Sequence, residues 1–204
     1  MNDLYKALSD IGSIRRQMAN TTDFRGYGPT TLAATGAFAI LAAVAQVLWL
    51  PDPGKHISAY LGIWVATAVL SAALTGFQMY TRTRRIHSDL SNEMLRMAVE
   101  QFLPAVAAGL LLTMVLLRYV PQASWMLPGM WQIIFGLGVF SSCRFLPRLM
   151  VIAGAWYLLT GLSCLAMGGN RALSPWTMGI SYGAGQLLVA GILLFSASEA
   201  EDEV

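Results

Sequence analysis

The chain has 204 residues, of which 56% are hydrophobic and only 12% charged. A soluble domain carries roughly 25% charged residues, so too few remain here to cover a water-facing surface, and the apolar side chains must face lipid. A formal net charge of +2 gives no reason to expect a nucleic-acid partner.

Residues 1–28 are mixed polar and charged and do not read as a signal peptide. Within them Leu4, Leu8, Ile11, Ile14 and Met18 recur at spacings of three and four, while Asp3, Lys6, Asp10 and Arg16 fall off that stripe. This periodicity predicts an amphipathic helix. Such a helix either lies along the inner leaflet or docks a cytoplasmic partner protein. Gly26-Tyr27-Gly28-Pro29 reads as the bend into the first apolar stretch.

Six stretches follow that are long enough for a hydrocarbon core of about 30 Å. They run from about Thr30 to Leu50, Ile57 to Tyr80, Ala98 to Val120, Met126 to Cys143, Leu149 to Gly168, and Pro175 to Ala197. Pro51-Asp52-Pro53-Gly54, Pro121, Pro147 and Gly168-Gly169-Asn170 punctuate them. Ser174-Pro175 reads as a cap followed by proline at the first helical position. The expected fold is therefore an all-α, polytopic bundle of six spans over residues 29–197, with an acidic tail at 198–204.

Basic residues orient the bundle. Lys6, Arg15, Arg16, Arg25, Arg82, Arg84, Arg85, Arg96, Arg144 and Arg148 fall on one side, and Lys55, Arg118 and Arg171 on the other, together the 13 of the chain. The richer side is expected to be cytoplasmic, with both termini on it. Trp49, Trp125, Trp131 and Trp176 mark the outer boundary as an aromatic belt, and Phe24, Tyr27, Tyr80 and Phe145 the inner one. Thr81-Arg82-Thr83-Arg84-Arg85 opens the longest loop. It fits a topology determinant touching anionic lipid or a recognition element for a specific lipid or protein.

Small residues recur at helix-contact spacing: Ala68, Ala72 and Gly76 in the second span, Gly154, Gly161 and Gly168 in the fifth, and Gly179 and Gly183 in the sixth. Such seams let helix backbones approach closely, either within the bundle or between two copies in a homo-oligomer. Two echoes, Ala108-Gly109 with Ala184-Gly185 and Gly62-Ile63-Trp64 with Gly154-Ala155-Trp156, raise a three-plus-three inverted repeat of the kind found in transporters.

Little catalytic chemistry is legible. Of the two histidines, His56 is expected outside and His87 inside, which argues against shared haem ligation. No metal-binding spacing, HExxH helix or GxSxG elbow occurs, and no cofactor is expected. Cys143 and Cys164 should differ in depth by more than about 20 Å at a rise of about 1.5 Å per residue, beyond disulfide reach. Glu100, beside Gln101 and one turn before Pro104, is the candidate ligand-binding group, because an intramembrane carboxylate is costly and usually functional. Pairing with Arg96 among the headgroups is the alternative. Gln46, Gln78, Gln132 and Gln186 are expected to serve as interhelical hydrogen-bond glue.

The segments WQIIFGLGVFSSCRFLPR (Trp131 to Arg148) and LSPWTMGISYGAGQLLVAGILL (Leu173 to Leu194), with IRRQMANTTDFRGYG near the N-terminus, resemble uncharacterised small multi-span bacterial inner-membrane proteins. The resemblance implies a multi-pass protein of the bacterial inner (plasma) membrane and no particular activity. The sequence therefore reads as a non-catalytic membrane protein that binds a partner protein, a lipid or a small ligand. A small secondary transporter is the alternative.

Overall fold

The computed structural model describes residues 28–85, 89–143, 147 and 149–202. The expected amphipathic helix, His87, Arg144 and Arg148 lie outside the described residues. So do the side chains of Arg82, Arg84, Arg85 and Arg96.

The described residues are helical and contain no strand. Helix α1 spans Pro29–Trp49, α2 Ile57–Arg85, α3 Asp89–Tyr119, α4 Leu127–Ser142, α5 Met150–Met167 and α6 Pro175–Asp202. A 3-10 turn, Pro121–Met126, leads into α4, and a single helical turn, Gly169–Ala172, precedes α6. Among the described residues six segments are long and apolar enough to cross a membrane, as the sequence predicted.

The breakers act through ordinary backbone chemistry. Pro29 opens α1 because its missing N–H would have had no partner in the first turn, and the Gly28 carbonyl accepts from Thr31 and Leu32. Pro51 cannot continue the helix, and the connection turns on Lys55 N donating to Asp52 O at 3.1 Å. Gly168 and Gly169 have φ of 65° and 49°, a region in which a side chain is strained, and they end α5 sharply.

Three helices outrun their apolar stretches. α3 begins at Asp89 rather than near Ala98, α2 continues to Arg85, and α6 to Asp202. Hydropathy marks only the part of a helix that lipid solvates. The 29 residues of α2 measure about 43 Å at about 1.5 Å per residue, more than the roughly 30 Å core.

Neighbours in sequence are mostly neighbours in space: α1 packs on α2, α3 on α4, α4 on α5 and α5 on α6, and α1 closes onto α6. The exception is α2 with α3. Among the described residues they share at most a marginal contact, so the ring is open between them.

Glycine sets the tightest interfaces. A Cβ on Gly161 would meet the Gly129 carbonyl oxygen at 2.7 Å, and one on Gly129 would meet the Gly161 carbonyl oxygen at 2.8 Å. The α4 and α5 backbones thus touch where only glycine fits. Gly179 and Gly183 seat Ala43 and Ile40 of α1 in the same way. Tyr60, Leu61 and Trp64 of α2 join Ala39, Ala42, Ala43, Leu127 and Met178 in one core cluster. Trp49, Trp125 and Trp176 lie near the ends of apolar segments, whereas Trp131, expected at the same outer boundary, lies in the middle of one.

Candidate functional site

Glu100 begins the apolar part of α3, and its side chain is exposed, as are those of Gln101, Leu103 and Pro104. The candidate ligand-binding carboxylate is therefore not buried between helices. The helical repeat explains this: Phe102 and Ala105 face α4, where they meet the position of Gly138, and Glu100 stands about 200° around the helix from Phe102. Gln101 is tied to α4 through its backbone, its carbonyl accepting from Ser141 Oγ at 3.3 Å. Ser141 also donates to the Gly138 carbonyl at 2.8 Å. Pro104 lies inside the continuous helix α3.

The polar groups that meet inside the bundle are uncharged. Gln46 of α1 is completely buried. Its Oε1 accepts from Trp64 Nε1 of α2 at 2.9 Å, and its Nε2 donates to the Leu173 carbonyl before α6 at 3.3 Å. One amide therefore ties three parts of the chain together. Gln132 of α4 is also completely buried, and its Nε2 donates to the Thr177 carbonyl of α6 at 3.1 Å. Gln78 Oε1 accepts from Gly28 N at 3.3 Å, joining α2 to the start of α1. These three amides act as the interhelical glue that the sequence suggested.

Around them stand aromatic rings. Phe135 packs edge-on against Phe102, Tyr157 and Tyr182, with ring centres 5.2, 4.7 and 5.5 Å away. Four buried side-chain oxygens in this interior have no hydrogen-bond partner among the described residues: Tyr60 Oη, Gln132 Oε1, Tyr157 Oη and Gln186 Oε1. The Gln186 side chain lies within reach of the Tyr157 hydroxyl. The tyrosines were the group that sequence reasoning passed over. A tyrosine within an apolar span, where phenylalanine would serve packing equally well, is the signal that could have found them.

Both cysteines are free thiols. Cys143, at the end of α4, donates to the Val139 carbonyl at 3.2 Å. Cys164, within α5, donates to the Ala172 carbonyl at 3.5 Å. His56 is exposed in the connection between α1 and α2. Among the described residues no group of three or more His, Cys, Asp or Glu side chains could hold a metal ion.

The small-residue seams divide into filled and open ones. Gly154 and Gly161 of α5 are packed against α4, and Gly179 and Gly183 of α6 against α1. Ala68, Ala72 and Gly76 of α2 are all exposed, and a Cβ on Gly76 would meet nothing within 4 Å. The segments that echo one another also sit in unlike surroundings. Gly62 is open where Gly154 touches Phe140, and Gly109 is open where Gly185 touches Tyr157. These surroundings lend the three-plus-three repeat no support.

Comparison with protein-family models, curated sequences and solved structures found no match.

Proposed function

We propose that this chain is a non-catalytic, multi-pass protein of the bacterial inner membrane, with both termini in the cytoplasm, that works by binding a second copy of itself through α2. The observation that carries the reading is the open seam. Ala68, Ala72 and Gly76 are spaced four apart and exposed, whereas the glycine seams of α5 and α6 are filled by neighbouring helices. Lipid chains and helices are similarly apolar, so close backbone approach along small residues is what favours a helix over lipid on such a face.

A second copy fits this surface by symmetry. Two copies in one membrane share their orientation, so their α2 helices would run parallel about a two-fold axis. Each small residue would then face its own counterpart, the self-complementary contact that a two-fold dimer requires. The weak packing between α2 and α3 leaves room for that approach.

Co-expression of two differently tagged copies tests the reading. Wild-type copies are expected to co-purify from membranes, and Ala72→Leu is expected to abolish this without loss of folded protein. Co-purification unaffected by Ala72→Leu would remove α2 from the interface. Absence of wild-type co-purification would remove the second copy as the partner.

A second reading, a small molecule held inside the bundle, is favoured by the unpaired oxygens of Tyr60, Gln132, Tyr157 and Gln186. It does not depend on α2 self-association.

A further inference from the structure

Tyr60 and Gln132 are each completely buried, and each has an oxygen without a partner among the described residues. Gln132 cannot relieve this by turning its amide over. Its Nε2 faces the Thr177 carbonyl at 3.1 Å and Met178 Sδ at 3.6 Å, and both of those atoms only accept. A flipped amide would set oxygen against oxygen, so Gln132 Oε1 is fixed in a position that requires a donor.

Four donors of this layer are already committed. The Thr177 hydroxyl is shared between the Ala172 and Ser174 carbonyls, at 2.9 and 2.6 Å. The Cys164 thiol faces the Ala172 carbonyl at 3.5 Å. Trp64 Nε1 goes to Gln46 Oε1 at 2.9 Å, and Trp131 Nε1 to Thr113 Oγ1 at 2.8 Å. Tyr60 belongs to one core cluster with Leu127, Leu173 and Met178, against which Tyr182 packs. Gln132 Nε2 reaches Met178 Sδ of that cluster, and Cys164 and Thr177 meet at the Ala172 carbonyl. Tyr60 and Gln132 thus share one neighbourhood, supplied by α2, α4, α5 and α6.

From this arrangement we infer that the layer between Tyr60 and Gln132 is a binding site for one small, neutral hydrogen-bond donor that bridges Tyr60 Oη and Gln132 Oε1. The site requires a donor because Gln132 Oε1 can only accept. It takes a neutral molecule because the groups that form it, Tyr60, Gln132, Cys164, Thr177 and Tyr182, carry no formal charge to balance an ion in a low-dielectric interior. The occupant is small because α4 and α5 touch backbone to backbone beside it, with a Gly161 Cβ position 3.0 Å from Gln132 Cβ. Water has this chemistry, as has an organic amide or alcohol of few atoms. A buried water characteristically makes two to four hydrogen bonds to groups that the protein leaves unpaired.

The sign of one substitution tests the proposal. Tyr60→Phe removes a single oxygen and leaves the ring. If the hydroxyl anchors a bound donor, the melting temperature in lipid nanodiscs falls, by about 2–4 °C for each 1 kcal/mol lost. If the hydroxyl is buried without a partner, its removal leaves the melting temperature unchanged or raises it, and the proposal fails. An experimental density map of the wild-type protein supplies the second readout. Density within hydrogen-bond distance of both oxygens supports the site, and direct contact between the two side chains with nothing between them overturns it. Native mass spectrometry separates the sources. An adduct lost in Tyr60→Phe identifies an organic solute, and an unadducted protein with a bridging density identifies water.

Discussion

Trp64 Nε1 donates to Gln46 Oε1 at 2.9 Å, and the same amide reaches the Leu173 carbonyl at 3.3 Å through its Nε2. One uncharged side chain thus fastens the start of α2 and the approach to α6 onto α1. Gln46→Leu would keep the volume and strand both the indole N–H and the Leu173 carbonyl. Each stranded buried group costs about 1–3 kcal/mol. Unfolding of the purified protein by a denaturing detergent is expected to show a loss of at least about 1 kcal/mol. Unchanged stability would mean that the two partners find other groups.

The glycines provide an internal contrast. Gly161→Ala would drive a Cβ to 2.7 Å from the Gly129 carbonyl oxygen, an overpacking expected to cost about 1–3 kcal/mol. Gly62→Ala meets nothing within 4 Å and is expected to be neutral or to stabilise α2 by about 0.5–1 kcal/mol, because alanine loses less backbone freedom than glycine. Equal effects from the two would contradict the packing described between α4 and α5.

Cys143 and Cys164 should differ in reactivity. Cys143 is half-buried and Cys164 fully buried, so a maleimide is expected to modify Cys143 first. Burial pushes the Cys143 thiol above its ordinary pKa of 9.0, which leaves little thiolate near neutral pH. Only the thiolate attacks, so the rate should climb about tenfold per pH unit from pH 7 to 9. A rate that levels off below pH 8 would show a lowered pKa instead.

Topology follows from the six spans and the distribution of basic residues. In a chain without its native cysteines, Lys55→Cys and Arg171→Cys are expected to react with an impermeant thiol reagent in intact cells. A cysteine placed in the 198–204 tail is expected to react only after lysis. Labelling of the tail from outside would invert the orientation.

The fold was largely legible because lipid imposes a coarse rule. About 20 apolar residues between proline or glycine breakers make a span, and Pro29, Pro51, Pro121 and Gly168 acted as breakers for local backbone reasons. The polar extensions of α2, α3 and α6 were missed because hydropathy is silent on helix outside the hydrocarbon. The candidate site was less legible. Glu100 drew attention as a charge near a span, but its burial depended on which face of α3 meets α4, and that is set by Phe102, Ala105 and Gly138. Tyr60 and Gln132 are 72 positions apart in sequence, so their shared neighbourhood exists only through packing.

Self-association through α2 is tested most directly by cysteine scanning. Single cysteines at Ala68, Ala72 and Gly76, and at Leu70 and Phe77 on another face of the helix, are introduced in a chain lacking Cys143 and Cys164. Oxidation in native membranes is expected to give a crosslinked dimer at positions 68, 72 and 76 and none at 70 and 77. No dimer at the three seam positions, or equal dimer at all five, would contradict the account.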